Sequence, residues 1–234
     1  MGASAAMSEW WTYRPGDFLM FSPRVYARLF EAVNEAWWPL HLLLLPAGLL
    51  GLWALARGRA TLALALGCGA AWLLCSTVFV QARYEPINWA VGHLVPPLWV
   101  LSALLPWLAW RTRHGVAVPG AARRVAWVLA AWALLLHPLL APLAGRGWAQ
   151  AEVLALAPDP TAIATLALLL VLPPQPGRVG RVAALLAWLL VLAWCGFSGF
   201  MLAAMENHQA WVLGVAAGVA VGVRLRQRPG AGQP

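Results

Sequence analysis

Long apolar runs separated by short polar segments dominate the chain. A bilayer hydrocarbon core about 30 Å thick requires roughly 20 consecutive apolar residues in a helix. The long runs cover 37–56, 60–80, 89–110, 125–144 and 182–205, and two shorter runs cover 159–172 and 209–223. All are continuous, rich in Leu and Ala, and lack the two-residue alternation of barrel strands. The pattern predicts an all-α, polytopic membrane helical bundle with about seven transmembrane helices.

An amphipathic pattern precedes the first long run, in the segment SPRVYARLFEAVNEAWW. Ser22 is a typical helix cap and Pro23 suits the first helical position. Val25, Leu29 and Val33 recur every four residues, and charged side chains take the opposite side. We therefore expect an amino-terminal interfacial amphipathic helix at the outer membrane surface. The predicted organisation is an outer segment with this helix (1–36), a transmembrane bundle (37–223) and a basic cytoplasmic tail (224–234).

Composition and charge support a membrane protein. Hydrophobic residues make up 62% of the chain and charged residues 10%, outside the usual range for soluble domains. All 16 basic residues are arginine. With seven spans, five arginines fall on the amino-terminal face and eleven on the other, so the positive-inside rule predicts an outer amino terminus and a cytoplasmic carboxyl terminus in the bacterial inner membrane. The arginines lie in short loops, so we expect no nucleic-acid binding.

The acidic residues and most histidines fall on the predicted outer side. Two readings remain open for the acids: solvation of longer outer segments, or a polar site. Ionisable residues at membrane depth favour a functional site, whereas a neutral histidine bonding two helices is the structural alternative. Prolines interrupt the third and fourth runs and free backbone carbonyls, as in ordinary kinks or in transporter sites. The candidate substrate- or ion-binding residues of an outward-facing vestibule are His41, His93, His137, Arg83, Glu85, Asn88, Glu152, Asp159, Glu206 and His208.

Three local structures are predicted around these candidates. Asp159 is expected to cap a helix that begins at Pro160, because its carboxylate can accept from free amides of the first turn. Residues 148–157 are expected to form a short interfacial or re-entrant helix that contains Glu152. His137 is expected to be buried beside polar groups of another span, His41 or His93, and to stay uncharged unless a carboxylate such as Glu85 or Glu206 approaches it.

Several stretches resemble an uncharacterised family of bacterial inner-membrane proteins with a domain of unknown function. They are EWWTYRPGDFLMFSPRVYARLFEAVNEAWWP, RYEPINWA and GRGWAQAEVLALAPDPTAIATLALLL. The most specific motifs are the run containing Tyr13, Pro15, Asp17, Phe18, Ser22 and Pro23, and the run 158–161. The similarity spans nearly the whole chain. It implies membrane location and a helical bundle, and it implies no particular activity.

Three functional hypotheses follow. The first is a non-enzymatic membrane protein that binds or passes a small solute or ion through the outer vestibule. The second is an accessory or assembly subunit of a membrane complex, and the third is a redox subunit that binds haem or a metal through its histidines. No HxxxH, HExxH or CxxC spacing occurs, so we expect no cofactor. The expected partners are the lipid bilayer and either further copies of the chain or a membrane-complex subunit.

Overall fold

The computed structural model describes Gly16 and residues 19–59, 61–113 and 120–227. Within these residues the fold is helical, and the one β-type contact is an isolated bridge between Leu154 and Ala157. Short 3₁₀ turns at Trp38–Leu40 and Trp148–Gln150 accompany the helices. The helices are α1 (Pro23–Ala36), α2 (His41–Ala56), α3 (Thr61–Tyr84), α4 (Trp89–Arg111), α5 (Gly120–Leu143), α6 (Pro158–Val171), α7 (Gly177–Ala204) and α8 (Ala210–Arg226).

Five helices in the described part of the chain are long and apolar enough to cross a membrane. They are α2 with its preceding 3₁₀ turn, α3, α4, α5 and α7. Helix α6 is apolar but has 14 residues, which gives a length of about 21 Å. Helix α8 has 17 residues. The helical architecture is confirmed and is compatible with a multi-pass membrane protein, and the count of about seven spans stays a prediction.

Helix α6 lies at the centre of the bundle. Thirteen of its 14 residues are buried, and α3, α5, α7 and α8 all pack around it. A helix that is apolar on every side is expected in such an enclosed position. By contrast, α2 and α7 expose large apolar side chains such as Leu43, Leu50 and Leu189. The enclosed helix begins with Asp159 in its first turn, so an acid enters the protein interior there.

Helix α1 begins as predicted. The Ser22 hydroxyl accepts from the backbone N–H of Val25 across 3.3 Å, and Pro23 is the first helical residue. Its buried face includes Phe30, whose ring stacks on Phe79 with centroids 4.7 Å apart. The helix therefore packs on the end of α3, and its placement at a membrane surface stays a prediction.

Two of the long helices, α3 and α5, change their hydrogen-bonding pattern along their length. The last part of α3, Ser76–Tyr84, is π-helical. Helix α5 is π-helical over Trp132–Leu136 and then 3₁₀ over His137–Leu139. Pro138 lacks an N–H, which removes a regular bond at this point. The predicted proline interruption of the fourth run therefore occurs next to His137.

Candidate functional site: a buried acid–histidine cluster

The segment that carries Glu152 is not the helix predicted for 148–157. Within 148–157, the helical part is limited to a 3₁₀ turn at Trp148–Gln150, and Ala151 and Ala157 have extended backbones. Ala155 has a φ of 73°, in the left-handed region, which also interrupts a helix. A physical reason is that a residue before proline is pushed towards extended geometry, which applies to Ala157. The irregular backbone turns Glu152 into the protein.

His137 and Glu152 form a buried pair. His137 Nε2 lies 3.2 Å from Glu152 Oε2, and both side chains are 2% exposed. Arg146 donates to the other oxygen, Oε1, across 3.5 Å, and its side chain is 18% exposed. Nδ1 of His137 is buried and has no hydrogen-bond partner among the described residues. One ring nitrogen of the imidazole therefore pairs with an acid, while the other has no hydrogen-bond partner among the described residues.

Asp159 does not act as the predicted helix cap. The helix begins at Pro158, its N-cap residue is Ala157, and no side chain caps it. The carboxylate instead accepts from Trp194 Nε1 and from Ser198 Oγ, each across 2.9 Å. Asp159 lies one position inside the helix, so its side chain projects towards α7 rather than back over the free amides. The negative charge still lies at the positive end of the α6 dipole.

The two acids belong to one electrostatic cluster. Asp159 interacts with the charges of both Glu152 and His137. Tyr26, on α1, reaches the same region: burial raises the pKa of its phenol well above the usual value, and the negative charge of Asp159 raises it further. Glu152 pairs with His137 and Arg146, whereas Asp159 accepts from Trp194 and Ser198. We name His137, Arg146, Glu152 and Asp159 the acid–histidine cluster.

A chain of threonine hydroxyls connects this region to the centre of α6. The Thr161 hydroxyl accepts from the Ala155 N–H at 3.0 Å and donates to the Ala157 carbonyl at 2.7 Å. The Thr165 hydroxyl donates to the Thr161 carbonyl at 2.7 Å and accepts from Trp72 Nε1 at 2.8 Å. These bonds hold the left-handed Ala155 backbone and join α3 to α6.

Helix α1 fixes the segment that carries Glu152. Asn34 Nδ2 donates to the carbonyls of Ala149 and Ala151, both at 2.8 Å. Gln150 Nε2 donates to a Glu31 oxygen at 3.1 Å. Because the Asn34 amide nitrogen is used in this way, its oxygen faces His41 Nε2, 3.2 Å away. Helix α1 thus positions Glu152 of the cluster.

The structure brings three of the ten predicted site residues together, namely His137, Glu152 and Asp159. His137 is buried as expected, but its polar partner is Glu152 and not His41 or His93, and the carboxylate that approaches it is neither Glu85 nor Glu206. His41 pairs with Asn34 and the Trp38 carbonyl, and His93 packs edge-on against Trp89. The rest are placed apart from these contacts: Asn88 is buried, Glu85 lies against Gly92, and Arg83, Glu206 and His208 are exposed.

Sequence reasoning missed several members of this network. Arg146 entered the prediction only through the count of arginines on each face, and Trp194 and Ser198, inside the run 182–205, were not singled out. Trp194 and Ser198 are four residues apart and therefore lie on one face of α7. This spacing indicates a shared contact once their partner, Asp159, is known. Asn34 carried no signal beyond its place in an amphipathic helix. Within the described ranges, no group of three His, Cys, Asp or Glu side chains is arranged to hold a metal ion.

Comparisons with known proteins give one match. The model of the Family of unknown function (DUF6064) matches residues 24–231. No curated protein and no solved structure matches the chain. The match includes α1, the segment that carries Glu152, and all of α6. The chain therefore belongs to the DUF6064 family, a family of unknown function.

Proposed function

We propose that this chain is a multi-pass protein of the bacterial inner membrane that binds a proton at the acid–histidine cluster and passes it across the membrane. The observation that carries the proposal is the buried grouping of Glu152, Asp159 and His137. Ionisable groups inside membrane proteins are costly, and they commonly mark ion pathways and proton relays.

The chemistry of the pair suits uptake of positive charge. In the neutral tautomer in which Nε2–H of His137 donates to Glu152, Nδ1 is a free base. A proton that arrives at Nδ1 creates an imidazolium paired with the Glu152 carboxylate. Protonation of the pair therefore neutralises buried negative charge.

We infer that access comes from the outer face. Arg146 is the partly exposed member of the cluster and lies beside Glu152, so it connects the buried acids to the surface. The arginine asymmetry of the sequence places this end outside, with the amino terminus outside and the carboxyl terminus in the cytoplasm. Contacts from α1 hold the Glu152 segment, so release of Asn34 from Ala149 and Ala151 is the motion expected to open the site.

A pH jump applied to proteoliposomes on a solid-supported membrane tests the proposal, because proton binding displaces charge without a known solute. Wild-type protein is expected to give a transient current. Glu152→Gln is expected to lose most of it, since the amide keeps the shape but cannot ionise. Glu206→Gln is the matched control, because Glu206 is exposed and outside the cluster. No wild-type current, or equal currents in all three proteins, contradicts the proposal.

A further inference from the structure

An apolar cleft of about 540 Å³ runs alongside α2. It is lined by α2, α3, α5 and α6, largely by alanine, glycine and leucine. The cleft exists because α2 packs mainly against α5 and makes few contacts with α3. Gly67 on α3 contributes to the space, since a Cβ atom added there would meet nothing within 4 Å. The cleft follows a helix that is long and apolar enough to cross a membrane, so hydrocarbon is the medium expected around it.

A basic pocket lies next to the cleft at the carboxyl-terminal end of α2. Leu55 lines the cleft, while the next residue, Ala56, lines a separate pocket of about 690 Å³ with Arg123, Arg124 and Trp127. Arg57 adds a further positive charge and lies over the Trp53 ring, 5.2 Å from its centroid. The apolar cleft and a group of cations are therefore neighbours at this end of α2.

The turn after α2 places one of these arginines. Gly58 has a φ of +61°, which a residue with a side chain rarely adopts. A Cβ atom at Gly58 would lie 2.6 Å from Arg123 Nη1, so the guanidinium packs against the bare backbone. No acidic residue occurs in the sequence between Glu35 and Glu85 or between Glu85 and Glu152. The helices that form the pocket therefore bring no acid of their own to neutralise Arg123 and Arg124.

We propose that the cleft and its arginine rim form a binding site for an anionic phospholipid of the surrounding bilayer. An acyl chain suits the apolar cleft, and the phosphate suits the guanidinium groups, which donate in pairs to such oxygens. Basic pockets between transmembrane helices are a known type of site for anionic head groups. The arginine rim is separate from the acid–histidine cluster, because it lies at the other end of α5, while the opposite end of the cleft reaches Ala155 and Thr161.

Native mass spectrometry of the full-length protein tests the charge requirement. The probe is an equimolar mixture of phosphatidylglycerol and phosphatidylcholine with identical acyl chains. We expect phosphatidylglycerol to be retained preferentially, and the double substitution Arg123→Gln, Arg124→Gln to lower that preference by about 30-fold, or roughly fivefold for each arginine removed. The control is Arg178→Gln with Arg181→Gln, a pair exposed at the start of α7 and outside both pockets.

A second pair of variants tests the cleft. Gly67→Leu places a side chain in the cleft and is expected to lower binding of both lipids. Gly214→Leu on α8 is the control, since a Cβ atom there also meets nothing within 4 Å and the residue is outside the cleft. This pair decides the matter if the arginine variant does not purify as a monodisperse protein. Unchanged phosphatidylglycerol preference in the arginine variant, or equal lipid loss in both glycine variants, overturns the proposal.

Discussion

The indole N–H of Trp194 donates to Oδ1 of Asp159 across 2.9 Å, which joins α7 to the first turn of the enclosed helix α6. Ser198, four residues further along α7, donates to the other carboxylate oxygen at the same distance. Both donors come from one face of one helix. The two oxygens of a buried acid are thus each satisfied by a neighbouring helix, so Asp159 is a clamp between helices.

Substitution of Asp159 tests this clamp. Asp159→Ala leaves the Trp194 N–H and the Ser198 hydroxyl buried without an acceptor, so we expect a loss of about 3 kcal/mol in the free energy of unfolding. Asp159→Asn is expected to lose much less, because its oxygen can accept from Trp194 and its NH₂ can donate to Ser198 Oγ. Thermal unfolding in mild detergent measures both. Equal losses would show that the charge itself is required.

The two partners of Glu152 are expected to differ in importance. Glu152→Ala removes the acid from a buried imidazole and should cost about 3 kcal/mol of stability. Arg146→Ala should cost at most about 1 kcal/mol, because the Arg146 Nη2–Glu152 Oε1 distance is 3.5 Å and the arginine is partly exposed. Chemical unfolding of the two variants gives the comparison. A larger loss for Arg146→Ala would mean that the arginine, and not His137, stabilises the acid.

The threonine chain gives a third prediction. Thr165→Val has nearly the same shape but leaves the buried Trp72 N–H without an acceptor, so we expect a loss of about 2 kcal/mol in stability. Thr77→Val is the matched control, since Thr77 is exposed and its hydroxyl bonds only to the Leu73 carbonyl of its own helix. Thermal unfolding should separate the two, and similar melting temperatures would contradict a role for the Trp72–Thr165 bond.

The close packing of α3 on α4 gives a fourth prediction. A Cβ atom at Gly69 would collide with the backbone oxygen of Ser102 and lie 3.2 Å from Pro106 Cδ. Gly69→Ala should therefore cost about 2 kcal/mol, as overpacking typically does. Gly67→Ala, two residues earlier with open space around it, should be neutral or stabilising by up to about 1 kcal/mol. If the two variants have the same free energy of unfolding, α3 and α4 accommodate the methyl group at Gly69 without loss of stability, which contradicts the prediction.

The expected membrane orientation can be checked directly. After Pro234, a fused reporter that works only in the cytoplasm should be active, and one that works only in the periplasm should be inactive. A cysteine introduced by Tyr13→Cys should react with impermeant reagents added outside. The physical reason is the excess of arginine on one face. Periplasmic activity of the carboxyl-terminal reporter, or a Tyr13→Cys variant that resists the reagents, would reverse the orientation.

Much of the helical fold was predictable because each long apolar run is a local signal. The run 182–205 and the observed helix α7 agree, as do the cap at Ser22 and the start of α1. The number of spans was less predictable. Length alone does not distinguish a short spanning helix from one such as α6 that is enclosed by its neighbours, because enclosure depends on contacts from distant parts of the chain.

The candidate site was predictable in its residue types but not in its pairings. Depth and charge indicated His137, Glu152 and Asp159 separately. Their contacts depend on tertiary geometry: Glu152 reaches His137 only because residues 151–157 are extended or turning, and Asp159 reaches Trp194 because α6 begins two residues earlier than expected. A local capping rule could not anticipate a competing acceptor role towards another helix.

The enclosure of α6 has a consequence for synthesis of the protein. Trp194 and Ser198, which satisfy Asp159, follow it by 35 and 39 residues in the chain. At ribosomal rates of about 5 to 20 residues per second, the acid is made roughly 2 to 8 seconds before its partners. During that interval the nascent chain holds a carboxyl group that α7 cannot yet cover. Asp159 therefore gains its two donors only after α7 has been made, which makes assembly of the centre of this bundle a late event.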